Sequence, residues 1–334
     1  MRSLDVVISI ILCAAAAFCQ DKEPASKKWD TNKVTGPSKK IELTLGEGTW
    51  MNLDVSPDGK TIVFDLLGDI FSVQMKGGEA KTLLSGHAYT VQPRFRPDGK
   101  TIAFTSDAGG GDNLWVMQAD GSNPRPVTKE KFRLLNNPAW TPDGKYLIVR
   151  KHFTATRSLG AGELWMYPIT GGSGIQLTKK RNDQQDTGEP EVSPDGRHVY
   201  YSEDVSPGGH FDYNRDPNGV IYAISRLDLV TGEKLTVCRA PGGSARPEIS
   251  PSGKQLAFIR RVRGKTVLMV RNLDTGEETS IYDKLSRDGQ ETWSIFGVYP
   301  NFAWTPDGNS IVIWAKGKIV RINLETMEDR KSVV

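Results

Sequence analysis

The stretch Ser56-Pro57-Asp58-Gly59-Lys60 (SPDGK) returns five more times along the chain. It recurs as RPDGK at Arg96–Lys100, TPDGK at Thr141–Lys145, SPDGR at Ser193–Arg197, SPSGK at Ser250–Lys254 and TPDGN at Thr305–Asn309. Each copy spells a tight turn. Proline presets φ for the second position of a type I turn, Asp tolerates the third, and Gly accepts the left-handed conformation that starts a return strand. A Ser or Thr in front can bond the turn backbone through its hydroxyl. Asp58, Asp98, Asp143, Asp195 and Asp307 are therefore read as turn residues, as are Gly59, Gly99, Gly144, Gly196, Gly253 and Gly308. Carboxylates scattered over separate turns make a poor catalytic set. Ser252 replaces Asp in the fifth copy and should fit its turn less well.

Strand-like runs surround every turn. A short apolar or aromatic segment precedes it (MNLDV, QPRF, NPAW, EPEV, RPEI, NFAW), and a second follows it (TIVFD, TIAFTS, YLIVRK, HVYYSE, QLAFIR, SIVIWA). A third run and usually a short fourth complete the unit. The turn prolines fall at 57, 97, 142, 194, 251 and 306. Four antiparallel strands per unit, repeated six times, predict an all-β, six-bladed propeller over residues 41–334. A solenoid would have shorter and more uniform repeats. The last unit offers only RKSVV (Arg330–Val334) as a fourth strand. IELTL (Ile41–Leu45) alternates better and is a candidate to fill that edge from the N-terminal side.

In such a meander the first–second and third–fourth turns share one face, and here they are short. The second–third and blade-to-blade connections share the other face and carry nearly all the insertions, including RKHFTATRSLGAGE, SEDVSPGGHFDYNRDPNG and SRDGQETWSIFGVY. Loops carry function more often than scaffold does, so a binding surface is expected there, around the channel mouth. Its candidate residues are Arg150, His152, Arg157, Asp204, Asp212, Asp216 and Trp293. The same charges and aromatics also fit a solvated rim with packed loop side chains.

The 334 residues carry a net charge of +3, too little to argue for nucleic acid or an anionic membrane as partner. At the N-terminus, Arg2 precedes the apolar run Val6–Phe18, and Ala17 and Cys19 occupy the −3 and −1 positions before Gln20. This reads as a cleavable export signal over residues 1–19, too short to span a bilayer, followed by a polar leader over 20–40. The expected location is periplasmic or secreted, with no membrane contact once the signal is removed. Cys13 and Cys19 would leave with the signal, so Cys238 remains alone and no internal disulfide can form. The number of subunits cannot be read from these features.

Catalytic patterns are sparse. The four histidines, His87, His152, His198 and His210, form no HxH or HExxH pattern, and no GxSxG word occurs. No cofactor, metal site or catalytic set is expected. His198 and Cys238 read as packed strand residues, and DAGGGDN (Asp107–Asn113) opens no helix that could cradle phosphate. Asp212, Asn214 and Asp216 match the first oxygen ligands of a calcium loop. Pro217 stands where that loop needs Gly, and Ala223 where it needs Glu, so a structured insertion is preferred. Were the chain an enzyme by itself, His152, Arg157 and Asp204 at the channel mouth would be the candidates.

The six turn units resemble the TolB-like propeller repeat. The stretches EGTWMNLDVSPDGKTIVFDLLGDI, FRLLNNPAWTPDGKY, RKHFTATRSLGAGELW, NDQQDTGEPEVSPDGR and FGVYPNFAWTPDG also look like the N-terminal part of large exported amidohydrolases. That resemblance includes loop words as well as turns. It implies a propeller that precedes a metal-dependent hydrolase domain whose His and Asp ligands lie far downstream, so no catalytic residue is carried over to this chain. Three roles follow as expectations: a non-catalytic module that binds or gates substrate or docks a hydrolase domain, a TolB-like envelope protein that binds other proteins, or a propeller enzyme.

Overall fold

The computed structural model describes residues 41–131, 134–154, 160–208, 215–292, 294–327 and 329–332, with a few positions between 31 and 39. The expected signal and most of the expected leader lie outside these residues. Twenty-four strands form six four-stranded antiparallel sheets, and no helix occurs among the described residues.

Each sheet is one uninterrupted stretch of chain. Blade 1 comprises β1 (Leu53–Val55), β2 (Thr61–Leu66), β3 (Asp69–Gln74) and β4 (Lys81–Leu84). Blade 2 comprises β5 (Thr90–Phe95), β6 (Thr101–Ser106), β7 (Asn113–Gln118) and β8 (Arg125–Pro126). Blade 3 comprises β9 (Leu134–Trp140), β10 (Tyr146–Thr154), β11 (Gly160–Pro168) and β12 (Ile175–Gln176). Blade 4 comprises β13 (Thr187–Val192), β14 (His198–Asp204), β15 (Tyr222–Asp228) and β16 (Lys234–Cys238). Blade 5 comprises β17 (Ala245–Ile249), β18 (Gln255–Val262), β19 (Lys265–Asn272) and β20 (Glu278–Tyr282). Blade 6 comprises β21 (Ala303–Trp304), β22 (Ser310–Ala315), β23 (Lys318–Asn323) and β24 (Asp329–Ser332). The second strands are buried on both faces because neighbouring blades cover them, which is why they read as continuous apolar runs in place of alternating ones.

The repeated turns close as their residues dictate. Gly59 N donates to Ser56 O at 2.8 Å, Ser56 Oγ donates to Asp58 Oδ1 at 2.6 Å, and Lys60 N donates to the same carboxylate oxygen at 3.1 Å. Gly59 sits at φ 72°, where a side chain would be strained. In the fifth turn Ser252 Oγ stands in for the carboxylate. Lys254 N reaches it at 3.4 Å, against 2.9 Å for Lys100 N to Asp98 Oδ1. The fifth turn is the looser one, as Ser252 implies.

The turns also pack against one another around the ring. A Cβ on Gly99 would lie 3.5 Å from Pro57 Cδ, and one on Gly59 would lie 3.5 Å from Pro306 Cδ, so the contact continues from blade 6 to blade 1. Ring closure rests on further bonds: Leu53 N to Asn301 O at 3.2 Å, Gly48 N to Gly317 O at 2.9 Å and Trp314 Nε1 to Gly48 O at 2.8 Å. One buried cluster spans the seam, with Leu53 and Phe64 of blade 1 packed with Phe302, Trp304 and Ile313 of blade 6 and Ile259 and Leu268 of blade 5. The expectation that IELTL fills the edge of the last blade is corrected. β24 pairs with β23, while Ile41, Leu43 and Leu45 form no strand and are exposed. The backbone of 329–332 pairs with β23, so the place beside that strand is already taken.

Candidate functional site

The residue five positions before each turn proline is polar in all six blades: Asn52, Gln92, Asn137, Glu189, Arg246 and Asn301. All six are at most 3% exposed. In blades 2 to 5 this residue precedes a proline, occupies a β-bulge and has a positive φ, from 53° at Asn137 to 60° at Gln92. The bulge turns its backbone N–H and side chain inward, and buried polar groups there must find partners. They find them on a neighbouring blade. Asn137 N donates to Gln92 Oε1 at 2.8 Å, Arg246 N to Glu189 Oε2 at 2.8 Å, and Asn301 N to Asn52 Oδ1 at 3.0 Å. Asp65 joins blades 1 and 2 by accepting from Asn52 N at 2.9 Å and Gln92 N at 2.7 Å. Burial nonetheless pushes its carboxyl up to about 7, against the pull of these donors.

Two residues further along, a second layer crosses the channel. Arg94 Nη2 donates to Glu191 Oε2 at 2.6 Å, and Arg94 Nη1 donates to Glu248 Oε1 at 2.9 Å. Asp54 lies in the same layer and accepts from Phe95 N at 2.7 Å. Three carboxyl groups face one guanidinium. Burial pushes Asp54, Glu191 and Glu248 all upward while Arg94 pulls them down, so they titrate as a set.

The linker between blades 5 and 6 caps the first layer. Phe296 O accepts from Gln92 Nε2 at 2.7 Å and from Arg246 Nη2 at 3.3 Å. Val298 N donates to Glu189 Oε1 at 2.5 Å, and Arg246 Nε donates to Tyr299 O at 2.8 Å. Gly297 is required between them, since a Cβ there would lie 1.9 Å from Arg246 Nη2. The Phe296 ring meets Tyr89 edge-on at 5.7 Å. These side chains and this cap bridge blades 2, 4 and 5 on the loop face.

The residues expected to form the binding rim are placed differently. Arg150 and His152 lie in β10 and Asp204 in β14, all at most 2% exposed, so they are strand residues inside the fold and not loop residues in solvent. Arg150 Nε donates to Asp186 Oδ1 at 2.8 Å, and Arg150 Nη2 and His152 Nδ1 are 3.0 Å apart. Asp204 pairs with Arg215 at 2.8 Å. Glycines make room for the arginine: a Cβ on Gly188 would lie 2.7 Å from Arg150 Cδ. Two buried guanidinium–carboxylate pairs hold these strands where exposed loop-face binding residues were expected, each charge meeting a partner from another segment. Asp216 is exposed and its Oδ1 accepts from Asn218 N at 2.9 Å. Arg157, Asp212 and Trp293 lie outside the described residues, and the calcium reading of 212–219 falls partly with them. Among the described residues no three His, Cys, Asp or Glu side chains converge as a metal site would. His198 is 3.6 Å from Asp228, and Cys238 is buried, its thiol pushed up to about 12 by burial.

The sequence carried a signal for the inward layer that a search for catalytic patterns passed over. The residues of QPRF, NPAW, EPEV and RPEI that precede proline are always polar in a strand that is otherwise buried.

A profile of the TolB beta propeller domain matches residues 38–213. The chain belongs to the TolB β-propeller family. TolB from Acinetobacter baumannii superposes with a TM-score of 0.63 at 16% identity, over 85% of this chain and 63% of its own. Among curated relatives, the uncharacterized peptidase YuxL of Bacillus subtilis (strain 168) is 30% identical over 197 residues, 57% of this chain. The dipeptidyl-peptidase 5 of Porphyromonas endodontalis is 24% identical over 313 residues, 78% of this chain. The chain spans only 24% and 43% of these two relatives' lengths. The propeller repeat expected from the turns is thus shared with TolB and with the propeller regions of peptidases.

Proposed function

We propose that this TolB-family propeller is a non-catalytic, exported binding module whose loop face docks a hydrolase domain, supplied by the same polypeptide or by a separate one. The cross-bridged centre carries the reading. Arg94 and Arg246 with their carboxylates link blades 2, 4 and 5 and Phe296–Val298 bonds to them from above, which favours recognition by the surrounding loops over a passage through the ring. The loop-level resemblance to exported amidohydrolases and the peptidase names of the relatives both favour a hydrolase as the docked domain. The likeness to TolB favours a second reading, an envelope protein that binds other envelope proteins through the same face.

Intact-mass analysis of the native product, with native capture from the periplasmic fraction, tests both. A hydrolase domain continuous with this chain or co-purifying with it is the expected result. Envelope proteins in its place would favour the second reading. A free chain that turns over amide or ester substrates by itself would sink the non-catalytic assignment.

A further inference from the structure

The segment Ile41–Leu45 alternates like a strand, yet among the described residues it pairs with no sheet of its own chain. Ile41 and Leu43 are 71% and 66% exposed, and Leu45 is exposed as well. Among the described residues the backbone groups of Ile41, Leu43 and Leu45 take no hydrogen bond. The segment is nevertheless firmly rooted at its C-terminal end. Gly48 N donates to Gly317 O at 2.9 Å, Trp314 Nε1 donates to Gly48 O at 2.8 Å, and Lys318 Nζ donates to Gly46 O. The fold thus presents an apolar strand word, with its backbone ready to pair, on the loop face beside the β22–β23 turn.

The residues around it are their own complement. Antiparallel pairing centred on Leu43 sets Leu43 against Leu43, Ile41 against Leu45 and Lys39 against Glu47, all on one face of the ribbon. Lys39 is exposed, and Glu47 is largely exposed with Lys318 as far off as 3.8 Å, so both can answer a charge from outside. Parallel pairing in register would set Lys39 against Lys39, and a slip of one residue would set apolar side chains against polar ones. With the Leu43 pair hydrogen-bonded, the ladder draws on the backbone of Ile41, Leu43 and Leu45, the groups that stand ready. Two strands by themselves are marginal, so the apolar face needs cover. Exposed Leu67 and Tyr89 supply it close to the root. A Cβ on Gly48 would lie 2.7 Å from Leu66 Cδ1, and one on Gly68 would lie 3.1 Å from Tyr89 Cδ2.

We propose that Ile41–Leu45 is a self-association strand, which pairs antiparallel with the same segment of a second copy and joins two propellers about a two-fold axis. Charge and symmetry select this occupant. A foreign sheet edge would take the apolar alternation equally well, but it has no use for Lys39 and Glu47 placed at equal distances either side of Leu43. The inference goes beyond the binding-module reading and does not depend on it.

The test is sedimentation velocity of the purified chain over about a hundredfold range of concentration. A concentration-dependent dimer is the expected result. Leu43→Lys sets two ammonium groups across the axis and should weaken the dimer by about tenfold or more. Lys39→Glu and Glu47→Lys, each alone, should weaken it too, because each sets like charges opposite one another. Mixed together, these two variants should recover a heterodimer, since each supplies the charge that the other lacks. Lys60→Glu, on the turn face, should leave the dimer unaltered. A monomer at every concentration, a dimer indifferent to Leu43→Lys, equal weakening by Lys60→Glu, or charge variants that fail to recover on mixing would each overturn the proposal. None of these outcomes bears on whether the loop face docks a hydrolase domain.

Discussion

The Glu189 carboxylate lies 3.2 Å from the Arg246 guanidinium and takes the backbone N–H of Val298 at 2.5 Å, so one buried side chain ties blades 4 and 5 to the cap. Removing it strands a cation. Glu189→Ala should cost about 3–5 kcal/mol, the range for breaking one partner of a buried pair. Glu189→Gln keeps one acceptor oxygen and should cost less. Urea unfolding at neutral pH measures both, and a wild-type midpoint for Glu189→Ala would show that the pair holds nothing.

Asp65 makes stability depend on pH. Its folded pKa of about 7 is above its unfolded value, so the folded state binds the proton more tightly. The corresponding stability is fully present below about pH 4 and is lost as pH rises through 7. Asp54, Glu191 and Glu248 are raised too and act with the same sign. The urea midpoint should fall from pH 5 to pH 8, and Asp65→Asn should flatten part of that slope. A midpoint that rises over this interval would contradict the assignment.

The fifth turn can be repaired. Ser252→Asp gives Ser250 Oγ and Lys254 N the carboxylate that the other five turns have, and should stabilise the protein by about 0.5–1 kcal/mol. Thermal unfolding reads the gain; no increase would mean that the turn is not limited by its third residue.

Gly162 and Gly188 admit the Arg150 side chain. A Cβ on Gly162 would lie 2.1 Å from Thr187 O, a backbone atom that cannot swing aside. Gly162→Ala should destabilise by about 3 kcal/mol or more through overpacking. Gly36→Ala, with nothing within 4 Å of its Cβ, is the control. Equal melting temperatures for the two variants would refute the packing argument.

The blades were legible in the sequence because each is local: a turn word and its flanking strands lie within one short stretch, and backbone chemistry at Pro, Asp and Gly settles them. The ion pairs were not legible because their partners are distant in sequence. Arg94 and Glu248 are 154 residues apart, and Arg150 and Asp186 are 36 apart. Charge at Arg150, His152 and Asp204 therefore looked like part of a loop-face binding surface, when the strands continue through those positions and partners arrive from other segments. IELTL misled for the opposite reason: its alternation is that of a strand, but β24 had already taken the edge.

Among the described residues no strand is exchanged between the first and last blades, and the seam at Leu53 and Asn301 is held by contacts of the same kind as those between other blades. The ring has no privileged beginning. A chain reconnected to start at blade 3 and end at blade 2 would keep every sheet whole. Under mechanical load the ring should part between sheets before any sheet unravels, as a clasp opens before its links stretch.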